Sequence, residues 1–143
     1  MGENSDIKPI IMYVEDQQWD MGGVVRNLSV DFEVWMTRNA EQSLELLADE
    51  SKRERIALIL LDIRLITPSN RDSWKHQGRR AGIDFAKMVL RQLEYDIPIV
   101  CYTANLSSEI SDELHRIGVA GVVEKGGSIR ELKVVIKKHL KQV

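Results

Sequence analysis

The sequence lacks the features that would place it outside a reducing compartment or inside a membrane. It has one cysteine, Cys101, which lies within an apolar run, so a disulfide framework is excluded and a buried thiol is predicted. No apolar run approaches the roughly 18 residues that a membrane span needs. The first residues lack the basic and then apolar pattern of a secretory signal. We therefore expect a cytoplasmic protein that does not enter a membrane.

A large charge of either sign is also missing. The 20 Lys and Arg residues nearly balance the 22 Asp and Glu residues, and the net charge of −2 creates no field that would draw the chain to nucleic acid or to an anionic membrane. The sequence contains no internal repeat and no low-complexity tract. Its 143 residues, of which 43% are hydrophobic, suffice for one domain with a buried core.

The sequence does contain short apolar runs at regular spacing. Four runs that are apolar nearly throughout, at 10–14, 56–61, 97–102 and 119–123, have the Ile and Val content of strands buried on both faces of a parallel sheet. A fifth run, 31–37, alternates more and predicts an edge strand. Together they predict a five-stranded sheet.

Between these runs, apolar residues recur at helical spacing. Asn39 and Ser128 are predicted N-caps, and Gly118 stands where a glycine that ends a helix belongs. Alternating strands and helices predict an α/β fold with a mainly parallel sheet and helices on both faces. The five stripes are Met21, Val24, Val25 and Leu28; Ala40, Leu44, Leu47 and Ala48; Phe85, Ala86, Val89 and Leu93; Leu106, Ile110, Leu114 and Ile117; and Ile129, Leu132, Val135, Ile136 and Leu140.

One segment, at about 63–81, breaks this rhythm and predicts a long basic loop insertion. A structureless loop of more than about 12–15 residues is usually functional or disordered. The segment is either an inert surface insertion or a partner-docking or lid segment, in which Trp74 could anchor a partner. Its cationic residues, set against Asp72 alone, are Arg64, Arg71, Lys75, Arg79 and Arg80.

Reactive side chains follow four of the five apolar runs. Glu15 and Asp16 follow the run at 10–14, Asp62 follows the run at 56–61 and Thr103 follows the run at 97–102. Glu124 and Lys125 follow the run at 119–123. Because parallel strands end at a common edge of the sheet, we expect these groups to gather there.

The chemistry open to such a set is narrow. Clustered carboxylates without His or Cys nearby in sequence favour Mg²⁺ over Zn²⁺. A carboxylate can also attack a phosphoryl group and form an aspartyl phosphate. The negative charge of that group needs neutralising, which a lysine, a hydroxyl and a metal ion can provide.

Four motifs carry a resemblance to the receiver domain of two-component response regulators. They are "YVED" (13–16), "LILLDIRL" (58–65), "IVCYTA" (99–104) and "GVVEKGGS" (121–128), and the resemblance covers about residues 7–142. It implies a flavodoxin-like sheet of order 2-1-3-4-5 and a single receiver domain over the chain, with the loop insertion after the third strand.

The resemblance also implies a role for each group. Asp62 would accept the phosphoryl group from a histidine kinase or phosphotransfer protein, Thr103 would bind it and Lys125 would neutralise it. Asp16 would hold Mg²⁺, with Glu15 acting directly or through water and the backbone carbonyl of Arg64 as a further ligand. Phosphorylation would change a partner-binding surface at about 105–142. The basic segment at 64–80 is a further possible docking site.

The sequence departs from the family at several positions. Gly126 and Gly127 follow the lysine where the family usually has proline, and Val122 stands where an aromatic residue is common. Glu15 stands where the family often has Asp, and the loop after Asp62 is longer than usual.

Other functions stay open. A degenerate receiver could serve as a phosphorylation-independent interaction module. A phosphatase or phosphotransferase with an Asp-x-Asp motif would need a second acid where Arg64 stands. A flavodoxin would need a phosphate loop rich in Ser and Thr after the first strand, which is missing.

Overall fold

The five predicted strands form one parallel sheet. A computed structural model describes residues 7–16, 22–64, 74–104 and 106–142, with 74–80 described as backbone alone. The sheet has the order β2-β1-β3-β4-β5, and every neighbouring pair is parallel. The predicted α/β fold and strand order are therefore confirmed. The strands are β1 (Ile10–Val14), β2 (Glu33–Thr37), β3 (Ile56–Leu61), β4 (Ile99–Thr103) and β5 (Gly121–Glu124).

Helices cover both faces of this sheet. The core cluster on one face includes Leu47 and Leu114, and the cluster on the other face includes Leu28, Leu132 and Ile136. A π-helical turn, Met88–Gln92, directly follows the fourth helix. The helices are α1 (Gly22–Leu28), α2 (Ala40–Ala48), α3 (Glu50–Arg53), α4 (Trp74–Lys87), α5 (Ser108–Ile117) and α6 (Ile129–His139). None of the helices described is both long and apolar enough to cross a bilayer.

Strand burial follows position in the sheet. Every residue of β1 and β3, which lie inside the sheet, is buried, whereas Thr37 is the one buried residue of the edge strand β2. A strand covered on both faces has no solvated side, so its sequence is continuously apolar. The first polar residues after β1 and β3 therefore lie at the boundary of the core.

The predicted helix ends are confirmed. Asn39 Oδ1 accepts a hydrogen bond from the Gln42 amide at 2.8 Å, and Ser128 Oγ accepts one from the Glu131 amide at 3.2 Å. Gly118 has a φ of 106°, the left-handed conformation that favours glycine at the end of a helix.

The prediction of a loop over 63–81 is wrong in its second half, because α4 begins at Trp74. The residues of 75–81 include Lys, Gln, Arg and Ala, whose intrinsic helix propensity allows a helix without an apolar stripe. Residues 65–73 lie outside the described part of the chain, so the docking or lid role of the basic segment stays a prediction.

The placement of Leu93 on a buried stripe is also wrong. Leu93 is 41% exposed. The Leu93 amide donates to the Met88 carbonyl, five residues back, at 2.7 Å. This wider π-helical turn shifts the residues that follow it away from the face that a 3.6-residue repeat predicts.

The cap of α2 offers a direct test of these helix assignments. Asn39→Ala removes the acceptor of the Gln42 amide and should lower the free energy of unfolding by about 1 kcal/mol in urea denaturation. The matched control is Asn27→Ala in α1, where the side chain donates to the Gly23 carbonyl within the helix. That change should stay within about 0.5 kcal/mol of wild type. Equal losses for both variants would contradict the assigned cap.

Candidate functional site

The ends of four strands bring a lysine, two carboxylates and a hydroxyl into direct contact. Lys125 Nζ lies 2.5 Å from Glu15 Oε1 and 2.9 Å from Asp62 Oδ2. Thr103 Oγ1 donates to Asp62 Oδ1 at 2.9 Å. Residues that the sequence separates by up to 110 positions therefore form one polar cluster at the carboxyl edge of the sheet.

The backbone of these residues continues the sheet beyond the strands. The Asp62 amide donates to the Val14 carbonyl at 3.0 Å, and the Lys125 amide donates to the Thr103 carbonyl at 2.9 Å. The Glu15 amide likewise donates to the Thr37 carbonyl at 2.9 Å. A backbone hydrogen bond to a neighbouring strand thus fixes each of these residues. The four side chains therefore extend from a rigid part of the sheet.

Asp62 is held by three donors and is nearly buried, with 6% of the residue exposed. Its Oδ1 accepts from Thr103 and also from the Arg64 amide at 3.0 Å, and its Oδ2 accepts from Lys125. These three contacts hold the carboxylate in a single orientation, which suits a group that can act as a nucleophile.

Glu15, Asp16 and Asp62 form a group suited to a cation. One carboxylate oxygen from each lies within 4.8 Å of the others. Glu15 is fully buried, whereas Asp16 is partly exposed. Among these four charged groups Lys125 supplies one positive charge against three negative ones, so a divalent ion would complete the neutralisation. Hard oxygen ligands of this kind fit Mg²⁺.

The charge of Lys125 is maintained by its partners. Burial alone would lower the pKa of Lys125, but the charges and hydrogen bonds of Asp62 and Glu15 outweigh burial and raise it above 10.5. The ion pairs are therefore intact at neutral pH. Their contribution to stability is present below pH 10.5 and is lost as the pH rises above that value, through the raised pKa.

Two tyrosines that the sequence patterns did not single out lie beneath the cluster. Tyr13 is fully buried, and its hydroxyl lies 3.4 Å from Glu15 Oε1 as a donor. Burial, followed by the charge of Glu15, raises the pKa of Tyr13, so the phenol stays protonated. Lys125 Nζ lies 5.7 Å from the centre of the Tyr102 ring. The two-residue spacing of Tyr13 and Glu15 along one strand is the signal that could have paired them.

Glu124 and Cys101 lie near the cluster, but their side chains have other roles. The carboxylate of Glu124, expected among the gathered acids, instead accepts the Leu106 amide at 3.2 Å and is exposed. Burial and the charge of Asp62 raise the pKa of Cys101 to about 12, so this thiol stays protonated and unreactive.

Comparisons with known proteins agree with this architecture. No protein-family model matches the sequence, and no curated protein matches it. Solved structures do match, among them a CheY-like response regulator receiver domain protein from Methanospirillum hungatei, with a TM-score of 0.72, 20% identity and coverage of 92% of this chain and 93% of that one.

Two further receiver domains match over nearly their whole length. The non-phosphorylated HemR receiver domain from Leptospira biflexa has a TM-score of 0.72 and 21% identity, covering 95% of this chain and 97% of that chain. The BeF3-activated receiver domain of RstA from Klebsiella pneumoniae has a TM-score of 0.71 and 21% identity, covering 93% and 99%. The chain therefore has the fold of response-regulator receiver domains.

Removing the charge of Lys125 tests the electrostatics of the cluster. Lys125→Met keeps an apolar stem but leaves Glu15 and Asp62 without their cation, which should lower the free energy of unfolding by roughly 3–5 kcal/mol in a chelator. Mg²⁺ should then restore more stability to this variant than it adds to wild type, because it neutralises the same carboxylates. Thermal melts with and without Mg²⁺ measure both effects.

The matched control is Lys137→Met in α6, where the lysine side chain is 55% exposed and its ammonium lies 3.6 Å from Asp31 Oδ1. An exposed pair of this kind contributes less than about 1 kcal/mol and has no link to the acidic group. An identical Mg²⁺ response in Lys125→Met and wild type would contradict the assigned role of Lys125.

Proposed function

We propose that the protein is a phosphorylatable receiver domain, with Asp62 as the phosphoacceptor. The observation that carries this proposal is the set of contacts around Asp62. A hydroxyl, an ammonium and a backbone amide all bind its carboxylate, and two further carboxylates lie beside it. The similarity to solved receiver domains supports the proposal at the level of the fold.

The chain's own residues would assist the transfer by position and charge. An oxygen of Asp62 would attack the phosphorus of a phosphohistidine on a histidine kinase or phosphotransfer protein, and the bond from phosphorus to nitrogen would break as the imidazole leaves. Thr103 and Lys125, which already contact the two carboxylate oxygens, would move a short distance to bind the phosphoryl oxygens. There they would stabilise the negative charge of the transition state.

The acidic group would hold the metal ion on which this chemistry depends. Asp16 and Asp62 would be ligands, together with the backbone carbonyl of Arg64, and Glu15 would act directly or through water. Bound Mg²⁺ would offset the negative charge that the phosphoryl group brings to this cluster.

The effect of phosphorylation would be transmitted to a partner-binding surface at about 105–142. Thr103 and Lys125 are joined both through Asp62 and by the ladder bond between their backbones. The loop that follows Thr103 is joined to β5 by the contact of the Leu106 amide with Glu124. A movement of Thr103 toward a phosphoryl group would therefore pull on the loop and on β5 together, a local change that biases a larger surface.

The second candidate is a degenerate receiver that binds partners without phosphorylation. It is favoured by the departures around Lys125, where Gly126 and Gly127 replace the usual proline and Val122 replaces an aromatic residue. The phosphorylation experiment below separates the two candidates.

Acetyl phosphate and Mg²⁺ should add one phosphoryl group to the protein, which intact-mass spectrometry would detect. The adduct should survive acid and be lost in base, as an acyl phosphate is. Asp62→Asn should abolish it while leaving the fold intact, and Asp96→Asn, at an exposed position away from the cluster, should not. An unmodified wild-type protein with acetyl phosphate and with a panel of histidine kinases would leave the degenerate receiver as the better description.

The two neighbouring acids should differ in their effect on Mg²⁺ binding. Asp16→Asn should weaken binding by about tenfold or more, because it removes a charged ligand. Glu15→Gln should weaken it less, since the Glu15 carboxylate is engaged by Lys125 and Tyr13. Isothermal titration calorimetry measures both constants. Equal losses, or a larger loss for Glu15→Gln, would contradict the assigned ligand roles.

A further inference from the structure

Helix α4 passes so close to the residue after Asp62 that there is no room for a side chain at Gly82. A Cβ atom built on Gly82 would lie 2.2 Å from the carbonyl oxygen of Ile63, 2.3 Å from its Cα and 2.5 Å from its carbonyl carbon. Ordinary contacts of a Cβ atom are 3.4–4 Å. Among the glycines described, no other would bring a Cβ this close to backbone. The α4 backbone therefore packs directly on the backbone of Ile63.

Ile63 has no freedom to move away from this contact. Its side chain is buried in the core cluster that also contains Ile83, Phe85 and Ala86 of α4. The segment is thus held from two sides, by its side chain in the core and by the helix backbone at Gly82. Close-packed interiors transmit a displacement instead of absorbing it.

The segment held in this way carries the phosphoacceptor. Asp62 precedes Ile63 and Arg64 follows it, and the Arg64 amide donates to Asp62 Oδ1 at 3.0 Å. The Asp62 carboxylate also meets Thr103 at 2.9 Å and Lys125 at 2.9 Å. A shift of the Ile63 backbone would therefore change the position of the carboxylate and of the Arg64 backbone relative to the other groups.

We propose that Gly82 is a positioning residue for the phosphoacceptor. Its missing side chain lets α4 fix the backbone of 62–64, and that backbone sets the geometry of the Asp62 carboxylate and of the Arg64 carbonyl. This inference rests on the proposed function, because the geometry that it explains is that of metal binding and phosphoryl transfer.

The choice of residue supports this role. Glycine in a helix interior is less favourable than alanine because it loses more backbone entropy on folding. Gly23 in α1 has nothing within 4 Å of the position of its Cβ, so alanine is free to replace it there. At Gly82 alanine would have to displace the helix or the 62–64 segment by about 1 Å, a misplacement that can slow a reaction about 100-fold.

The experiment compares the full chain as wild type, Gly82→Ala and the control Gly23→Ala. Isothermal titration calorimetry measures the Mg²⁺ dissociation constant, and intact-mass spectrometry measures the rate of phosphorylation by acetyl phosphate. Urea denaturation in a chelator measures the free energy of unfolding in the absence of Mg²⁺. Gly82→Ala should unfold cooperatively, bind Mg²⁺ at least about tenfold more weakly and accept the phosphoryl group about 10- to 100-fold more slowly. Gly23→Ala should match wild type in binding and rate.

A purely structural role would give a different result. If Gly82→Ala were less stable but bound Mg²⁺ and accepted the phosphoryl group as wild type does, the proposal would be overturned. It would also be overturned if the variant had no cooperative unfolding transition in the chelator, because the contact would then serve the fold and not the site. A wild-type protein that took up neither Mg²⁺ nor phosphoryl would instead remove the proposed function on which the inference rests.

Discussion

The contact of one ammonium with two buried carboxylates is the constraint on which the carboxyl edge of the sheet depends. Lys125 contacts Glu15 and Asp62, which are nearly inaccessible to water and directly follow the interior strands β1 and β3. Charges in such places are unfavourable unless they are paired and hydrogen-bonded. Lys125 therefore joins β5, at the edge of the sheet, to these two interior strands. The same need for neutralisation makes this edge of the sheet suited to a cation.

Much of this arrangement could be predicted from the sequence because it follows from burial. The runs at β1 and β3 are continuously apolar since both faces are covered, and a polar residue after such a run has to mark the sheet edge. The sequence alone therefore predicts that Asp62, Thr103 and Lys125 lie close together, as they do.

Other features depend on packing that periodicity does not encode. Hydrophobic periodicity does not show that α4 begins at Trp74, because the first turns of this helix rely on helix propensity and carry no apolar stripe. The 3.6-residue repeat predicts that Leu93 is buried, but a π-helical turn interrupts this repeat and leaves Leu93 exposed. The contact of Gly82 with Ile63 cannot be predicted from the sequence pattern. A glycine in a helix gives the same pattern whether its Cβ position is open to solvent or is occupied by a neighbouring backbone. Such contacts need the tertiary structure because they join two segments through backbone alone.

The region around Lys125 indicates how this chain could keep a receiver geometry without the family's usual residues. Gly126, with a φ of 100°, makes the turn directly after the lysine, a conformation that residues with a side chain seldom adopt. The position of Lys125 is then fixed before the turn, by its amide on the Thr103 carbonyl and by its ammonium on Glu15 and Asp62. Val122 offers no aromatic ring to respond to Thr103, whereas Glu124 binds the loop that Thr103 begins. In this chain Asp62 is therefore connected to the end of β5 in two ways, directly through the ammonium of Lys125 and indirectly through Thr103, since Glu124 binds the loop that follows it.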